Sequence, residues 1–196
     1  MKKLLYFILI GLVFVSCSEK KKNNTIEDKV VVQSTLMKTY QKADSLRKAG
    51  IIDTALINDF INQALSFSDK YPEDETTPEI LLNAGFSSMI LAKYANETAP
   101  DDKITTVKFA RQGINFFNKI QKVYPDFEGV KYCYYYKGII YDDILKDYES
   151  ANFEYSEFIN KYPNDSISTN LRDYIKYLGK SPDEILSQIE QNNKAN

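Results

Sequence analysis

One recurring phrase constrains this 196-residue chain more than any other feature. It reads Lys70-Tyr71-Pro72-Glu73-Asp74, then Lys122-Val123-Tyr124-Pro125-Asp126, then Lys161-Tyr162-Pro163-Asn164-Asp165. Proline has no N–H to give an interior helix turn, and its ring drives the preceding residue out of the helical region, so each phrase closes a helix. The tyrosine before it packs on the last turn. The prolines stand 53 and 38 residues apart. Recurrence at about that length is the mark of a helix-pair unit that cannot bury its apolar face alone and must stack on its neighbours.

The sequence between the phrases agrees. Val32, Leu36, Tyr40 and Ala43 fall three and four apart on one face of a first helix, which Gly50 is placed to end in the left-handed conformation. Asp53 can cap a second helix carrying Leu56, Phe60, Ala64, Phe67 and Tyr71. Thr77 is read as the cap of a third, with Pro78 in its first turn, where a missing N–H costs nothing. After Gly179, the spacing from Ser181 to Glu184 is that of a capping box. No alternating strand or Asn-Gly hairpin interrupts this pattern. The expected fold is all-α over residues 29–192: three helix pairs and a terminal pair, Ser166 to Leu178 and Pro182 to Gln191, or about eight helices. Residues 193–196 are read as a disordered tail.

The N-terminus carries a different signal. Met1-Lys2-Lys3 is followed by an uncharged apolar run from Leu4 to Val15 and then by Ser16-Cys17-Ser18, the layout of a signal peptide over 1–16. The run is shorter than the roughly 20 residues a spanning helix needs. Phe14-Val15-Ser16-Cys17 resembles the lipobox of bacterial lipoproteins, with Phe14 where leucine is commoner. That resemblance implies acylation of the Cys17 thiol and cleavage before it, and Ser18 implies passage to the outer membrane. Two or three acyl chains, at about 0.8 kcal/mol per buried methylene, hold persistently where one is marginal. Residues 17–28 are polar and read as a lipidated flexible tether of about 20 Å. Lys20, Lys21 and Lys22 lie in it, either solvated or against anionic head groups.

The stretch from Tyr134 to Pro163 resembles the tetratricopeptide repeat, through Tyr134, Gly138, Tyr141, Ala151, Tyr155 and Pro163 in order. Gly138 would let two helices approach, Ala151 would fit their crossing and Tyr155 would fill the groove between them. Gly138 to Ala151 is one residue longer than the usual unit, a change assigned to the Lys146-Asp147 turn. The preceding unit resembles the pattern through Leu81, Ala84, Gly85, Gly113, Phe117 and Pro125. It holds about 16 extra residues around Asn96 to Asp102, requiring longer helices or a longer loop. The first unit matches only through its closing helix. The resemblance implies a TPR-like α-solenoid. With the lipid anchor and the phrase Tyr155 to Asp165, the chain is similar to the BamD-type lipoproteins of the outer-membrane β-barrel assembly machine, although shorter.

Composition excludes several chemistries. The chain has no histidine, so imidazole acid–base work and histidine metal ligation are absent. Its seven glycines form no phosphate-cradling loop. The pairs Asp101-Asp102 and Asp142-Asp143 read as solvated surface, because neighbours on a helix point about 100° apart and do not converge on one atom. Cys133, the one thiol left after lipidation, reads as a small core residue. Without Lys2 and Lys3 the mature chain has 23 basic against 27 acidic residues, no footprint for nucleic acid. Neither an enzyme, a metal nor a cofactor is expected.

What remains is a surface for another protein. In tetratricopeptide proteins the first helix of each pair lines the concave face, and the resemblance carries that role onto Leu82, Phe86 and Met89, then onto Tyr132, Tyr135, Tyr136 and Ile139. These side chains either form an aromatic wall for an apolar or extended peptide or merely pack against adjacent helices. A Lys/Arg/Asn clamp for a peptide C-terminus is not evident among them. The expected function is a protein-binding scaffold for envelope assembly or secretion, lipid-anchored in the outer membrane and facing the periplasm, with the cell surface as the other orientation. The alternative is a lipoprotein that captures a peptide or glycan for an envelope importer.

Overall fold

The computed structural model describes residues 28–195, and among them the chain is all-helical with no strand. The expected signal peptide, Cys17 and the tether through residue 27 lie outside the described residues, as does Asn196. Helix α1 covers 28–48. There follow α2 (Thr54–Lys70), α3 (Thr77–Thr98), α4 (Lys103–Val123), α5 (Val130–Ile139), a π-helical segment (Ile140–Leu145), α6 (Tyr148–Lys161), α7 (Ser166–Tyr174) and α8 (Pro182–Ala195). They divide into two compact units, one ending at Gln63 and one starting at Ala64.

The first unit holds α1 and the opening of α2. Leu36 and Ala43 on α1 and Ile57, Phe60 and Ile61 on α2 are buried. The rings of Tyr40 and Phe60 lie 4.9 Å apart. Val32, placed on the same face by its spacing, is 39% exposed. Gly50 turns the chain at φ 81°, its N–H bonding the Arg47 carbonyl and that of Ile51 the Leu46 carbonyl, each at 2.9 Å. Asp53 Oδ1 accepts from the Leu56 N–H at 2.9 Å and so caps α2.

In the second unit each recurring phrase builds the same connection. The N–H groups of Asp74, Phe127 and Asp165 bond to the carbonyls of Tyr71, Tyr124 and Tyr162 at 3.2, 3.0 and 3.1 Å. Three residues on, those of Thr77, Val130 and Ser168 bond to the carbonyls of Asp74, Phe127 and Asp165 at 3.0, 2.9 and 3.0 Å. The chain thus leaves one helix at the tyrosine and enters the next within about six residues, and α4 packs beside α5 and α6 beside α7. Thr77 does not cap α3. The cap position is Thr76, Asp74 accepts its N–H at 3.0 Å, and the Thr77 hydroxyl reaches back to the Tyr71 carbonyl at 2.7 Å. Ser168 makes the same reach to Tyr162, at 2.6 Å.

Helix α3 packs along α4, and α5 with its π-helical extension packs on α6, while α4 packs on α5. The closest approach is the same in both pairs. A Cβ on Gly85 would sit 2.5 Å from Phe117 Cε1, and one on Gly138 would sit 2.2 Å from Tyr155 Cε1. Gly113 and Ala151 hold the same place in the two closing helices. A Cβ on Gly113 would lie 3.1 Å from the Gly85 carbonyl, and Ala151 has no exposed surface. The extra length of the earlier pair goes into the helices, which run 22 and 21 residues.

The additional residue between Gly138 and Ala151 sits elsewhere than in the Lys146-Asp147 turn alone. It widens Ile140–Leu145 into π-helix, which ends on Lys146 in the left-handed region at φ 56°. The Asp147 N–H then reaches over six residues to the Tyr141 carbonyl at 2.8 Å. The terminal elements differ from expectation as well. Helix α7 stops at Tyr174 and passes into turns, and α8 continues to Ala195, through residues 193–195 of the expected tail. The capping box forms, with Ser181 N–H to Glu184 Oε2 at 2.7 Å and Glu184 N–H to Ser181 Oγ at 3.3 Å. None of the described side chains of α8 is buried. No helix among the described residues is long and apolar enough to cross a membrane.

Candidate partner-binding site

The candidate wall draws on α3 and α5. Phe86 and Tyr136 bring the two helices together, ring centroids 5.4 Å apart. Tyr132 and Tyr135 flank Tyr136 at 6.1 and 5.7 Å. Leu82 extends the row toward Gly129, whose added Cβ would meet Leu82 Cδ2 at 3.1 Å. Leu82, Phe86, Tyr132, Tyr135, Tyr136 and Ile139 are all half-buried. Tyr136 rests on Phe117 and Tyr135 on Phe158, at 5.7 and 6.2 Å. Both of those phenylalanines are fully buried. Packing and exposure are therefore not alternatives for these rings, since one side covers the core and the rest stays open. Met89 departs from this. It lies one turn beyond Gly85 on the side that meets α4 and is only 8% exposed, so it belongs to the helix contact.

Beside the wall, the π-helical segment, α5, α6 and α7 line an open pocket of about 410 Å³. Tyr135 and Ile139 connect it to the row, and Asp142, Asp143, Tyr155, Asn170 and Tyr174 line it with Ile167 and Leu171. Here the reading of Asp142-Asp143 as solvated surface is corrected for one of the two. Asp142 is 5% exposed and accepts a hydrogen bond from the Tyr174 hydroxyl, whereas Asp143 stays exposed. Asp142 stands one turn beyond Gly138, on the face turned toward α6, and continues the row of Tyr135 and Ile139 into the pocket.

Burial lifts the Asp142 carboxyl above the usual carboxylate range, against the Tyr174 hydrogen bond, and the neighbouring Asp143 charge adds to the lift. The folded state holds that proton more tightly than the unfolded chain. The associated stability is full below the ordinary carboxylate pKa and is lost as pH rises through the folded value. Asp142→Asn keeps an acceptor for Tyr174 and removes the buried charge. Thermal melts should show the variant at least as stable as the native chain at about pH 7, with the advantage gone at about pH 3. A clear loss of stability at neutral pH would contradict this account.

Further in, Lys137 Nζ meets Glu154 Oε1 at 2.7 Å and Asn118 Oδ1 at 3.1 Å, tying α5 to α6 and α4. Both charged side chains are buried, at 7% and 9% exposure, and no described residue donates to Glu154 Oε2. Burial raises the Glu154 carboxyl, opposed by Lys137. Cys133 is fully buried, and burial pushes its thiol up to about 12, which leaves it protonated and unreactive. A second hollow, about 470 Å³, lies along α4 against Leu65 and is lined by Lys108, Arg111, Asn115 and Lys119 among others. Its cations stand on a closing helix, away from the candidate row. The chain matches no family model, no curated protein and no solved structure.

Proposed function

We propose that the chain is a lipid-anchored, TPR-like helical-repeat protein of the outer membrane that binds another protein in envelope assembly or secretion. The observation that carries the reading is the continuous half-buried row Phe86, Tyr136, Tyr132 and Tyr135, which spans two helix pairs and keeps part of each ring open. Tyrosine contributes contact area with only two side-chain torsions to order, which suits a protein interface. The TPR-like part is supported by the matched contacts Gly85 with Phe117 and Gly138 with Tyr155, and by the Tyr-Pro connection repeated three times. The anchor and its location are supported by the sequence of residues 1–18 alone.

The test is isolation of the full chain from detergent-solubilised envelopes. A stoichiometric protein partner should co-purify, and the N-terminal peptide should begin at an acylated Cys17. With Tyr132→Ala and Tyr136→Leu together, partner recovery should fall about tenfold or more, while helical circular dichroism is unchanged. Leucine at 136 keeps most of the volume resting on Phe117. Undiminished recovery would remove the row from consideration, and an unmodified N-terminus would remove the anchor.

A further inference from the structure

The pocket beside the row has a chemical character that the protein-binding reading does not require. Asp142 is 5% exposed, and Tyr174 donates to one of its oxygens. Among the described residues no donor reaches the other oxygen, and no cation lines the pocket. Lys146, the cation nearest in sequence, lies outside the lining. Asp143 adds a second negative charge at the rim. The oxygen without a donor is not sealed in the core but opens to the pocket, and a cation is the group that a carboxylate with one neutral hydroxyl donor receives best there.

The walls select the kind of cation. Tyr135 and Tyr155 lie 6.5 Å apart with their planes at 45°. Tyr155 and Tyr174 lie 5.9 Å apart at 84°. These rings form a corner, not the flat platform on which a sugar face stacks. Tyrosine rings lining the same pocket as a carboxylate favour a compact positive charge on an apolar stem. The volume of about 410 Å³ is ample for an alkylammonium chain. A bare metal ion finds few oxygens here, and among the described residues no group of three acidic or thiol side chains is placed to hold one.

We infer that this pocket binds a primary alkylammonium group, its charge against Asp142 and its methylenes against Tyr135, Tyr155 and Tyr174. Two sources carry that chemistry, the lysine side chain of a partner protein and a free polyamine. Calorimetric titration of the full chain in detergent tests the inference with n-butylammonium, n-butanol, butyrate and methyl glucoside. Butylammonium should bind, and each of the other three about tenfold more weakly or not at all. Asp142→Asn should weaken butylammonium binding about tenfold with an unchanged circular dichroism spectrum. The butanol comparison needs no variant and stands if that one fails to fold. Equal binding of butanol or methyl glucoside, no ammonium binding, or full binding by a folded Asp142→Asn protein would overturn the inference.

Acetyl-Gly-Lys-Gly-amide and spermidine then separate the sources. Tighter binding of the tripeptide supports a partner's lysine, and tighter binding of spermidine supports a free polyamine. The inference stands apart from the proposed protein partner. Butylammonium bound without the tripeptide would keep the pocket and detach it from that partner, whereas failure of every ammonium probe would leave the test of Tyr132 and Tyr136 untouched.

Discussion

Lys137→Met is expected to destabilise the second unit by about 3–5 kcal/mol at neutral pH, the cost of stranding one member of a buried ion pair. Glu154 would lose its 2.7 Å partner while its other oxygen already lacks a donor, and Asn118 would lose the ammonium as well. Methionine fills the stem of the lysine but supplies neither charge nor proton. The penalty should depend on pH with a definite sign. The Glu154 carboxyl, already raised by burial, would rise further without Lys137. A carboxyl whose folded pKa is raised favours folding in acid and loses that contribution as pH rises through the folded value. The gap between variant and native chain should therefore narrow as the solution is made acidic. Urea midpoints at about pH 7 and about pH 5 measure it. Lys137→Met combined with Glu154→Leu should recover most of the loss, because an apolar pair of similar volume needs no compensation. A single-variant loss below about 1 kcal/mol would show that water reaches the pair and that it behaves as a surface bridge.

Gly138→Ala reverses the sign that helix propensity alone assigns. Within a helix, alanine in place of glycine gains about 1 kcal/mol. At Gly138 the new methyl would lie 2.2 Å from Tyr155 Cε1 and 2.5 Å from Cδ1. The ring cannot swing away freely, because Tyr155 is 2% exposed and Tyr135 and Tyr174 flank it. Overpacking of that kind costs about 3 kcal/mol at the upper end of its usual range, leaving a net loss of about 2 kcal/mol. Gly85→Ala, with Phe117 Cε1 at 2.5 Å, should behave alike. Adding Tyr155→Leu to Gly138→Ala should cost less than the two separate changes combined, since the smaller side chain vacates the space the methyl needs. A stabilised Gly138→Ala protein would mean that α5 and α6 do not approach as closely as the glycine permits.

Loss of the Gly138–Tyr155 fit also bears on the candidate site. Tyr155 forms one wall of the pocket and packs on Tyr135, so a displaced ring would alter the wall and the row together. Helix-pair packing and the proposed binding pocket thus share side chains in this part of the molecule.

Helix type and helix ends were open to reading from the residues because their causes are local. A proline after tyrosine ends a helix wherever it stands, and α2, α4 and α6 stop at Lys70, Val123 and Lys161, two residues or fewer before those prolines. Asp53, Gly50 and the pair Ser181 and Glu184 act on backbone groups within four residues of themselves. The close fits at Gly138 and Ala151 were also legible, since a small residue opposite a large one is a pattern in sequence before it is a contact. The choice between longer helices and a longer loop before Asp102 was not, because both satisfy the same spacing. Nor was the buried state of Asp142, which follows from the cover that Tyr155 and Tyr174 on α6 and α7 provide. Local chemistry named the elements and their boundaries, whereas the pocket, the Lys137–Glu154 pair and the double role of the tyrosines arose from residues brought together across the chain, where burial and not spacing determines what a side chain does.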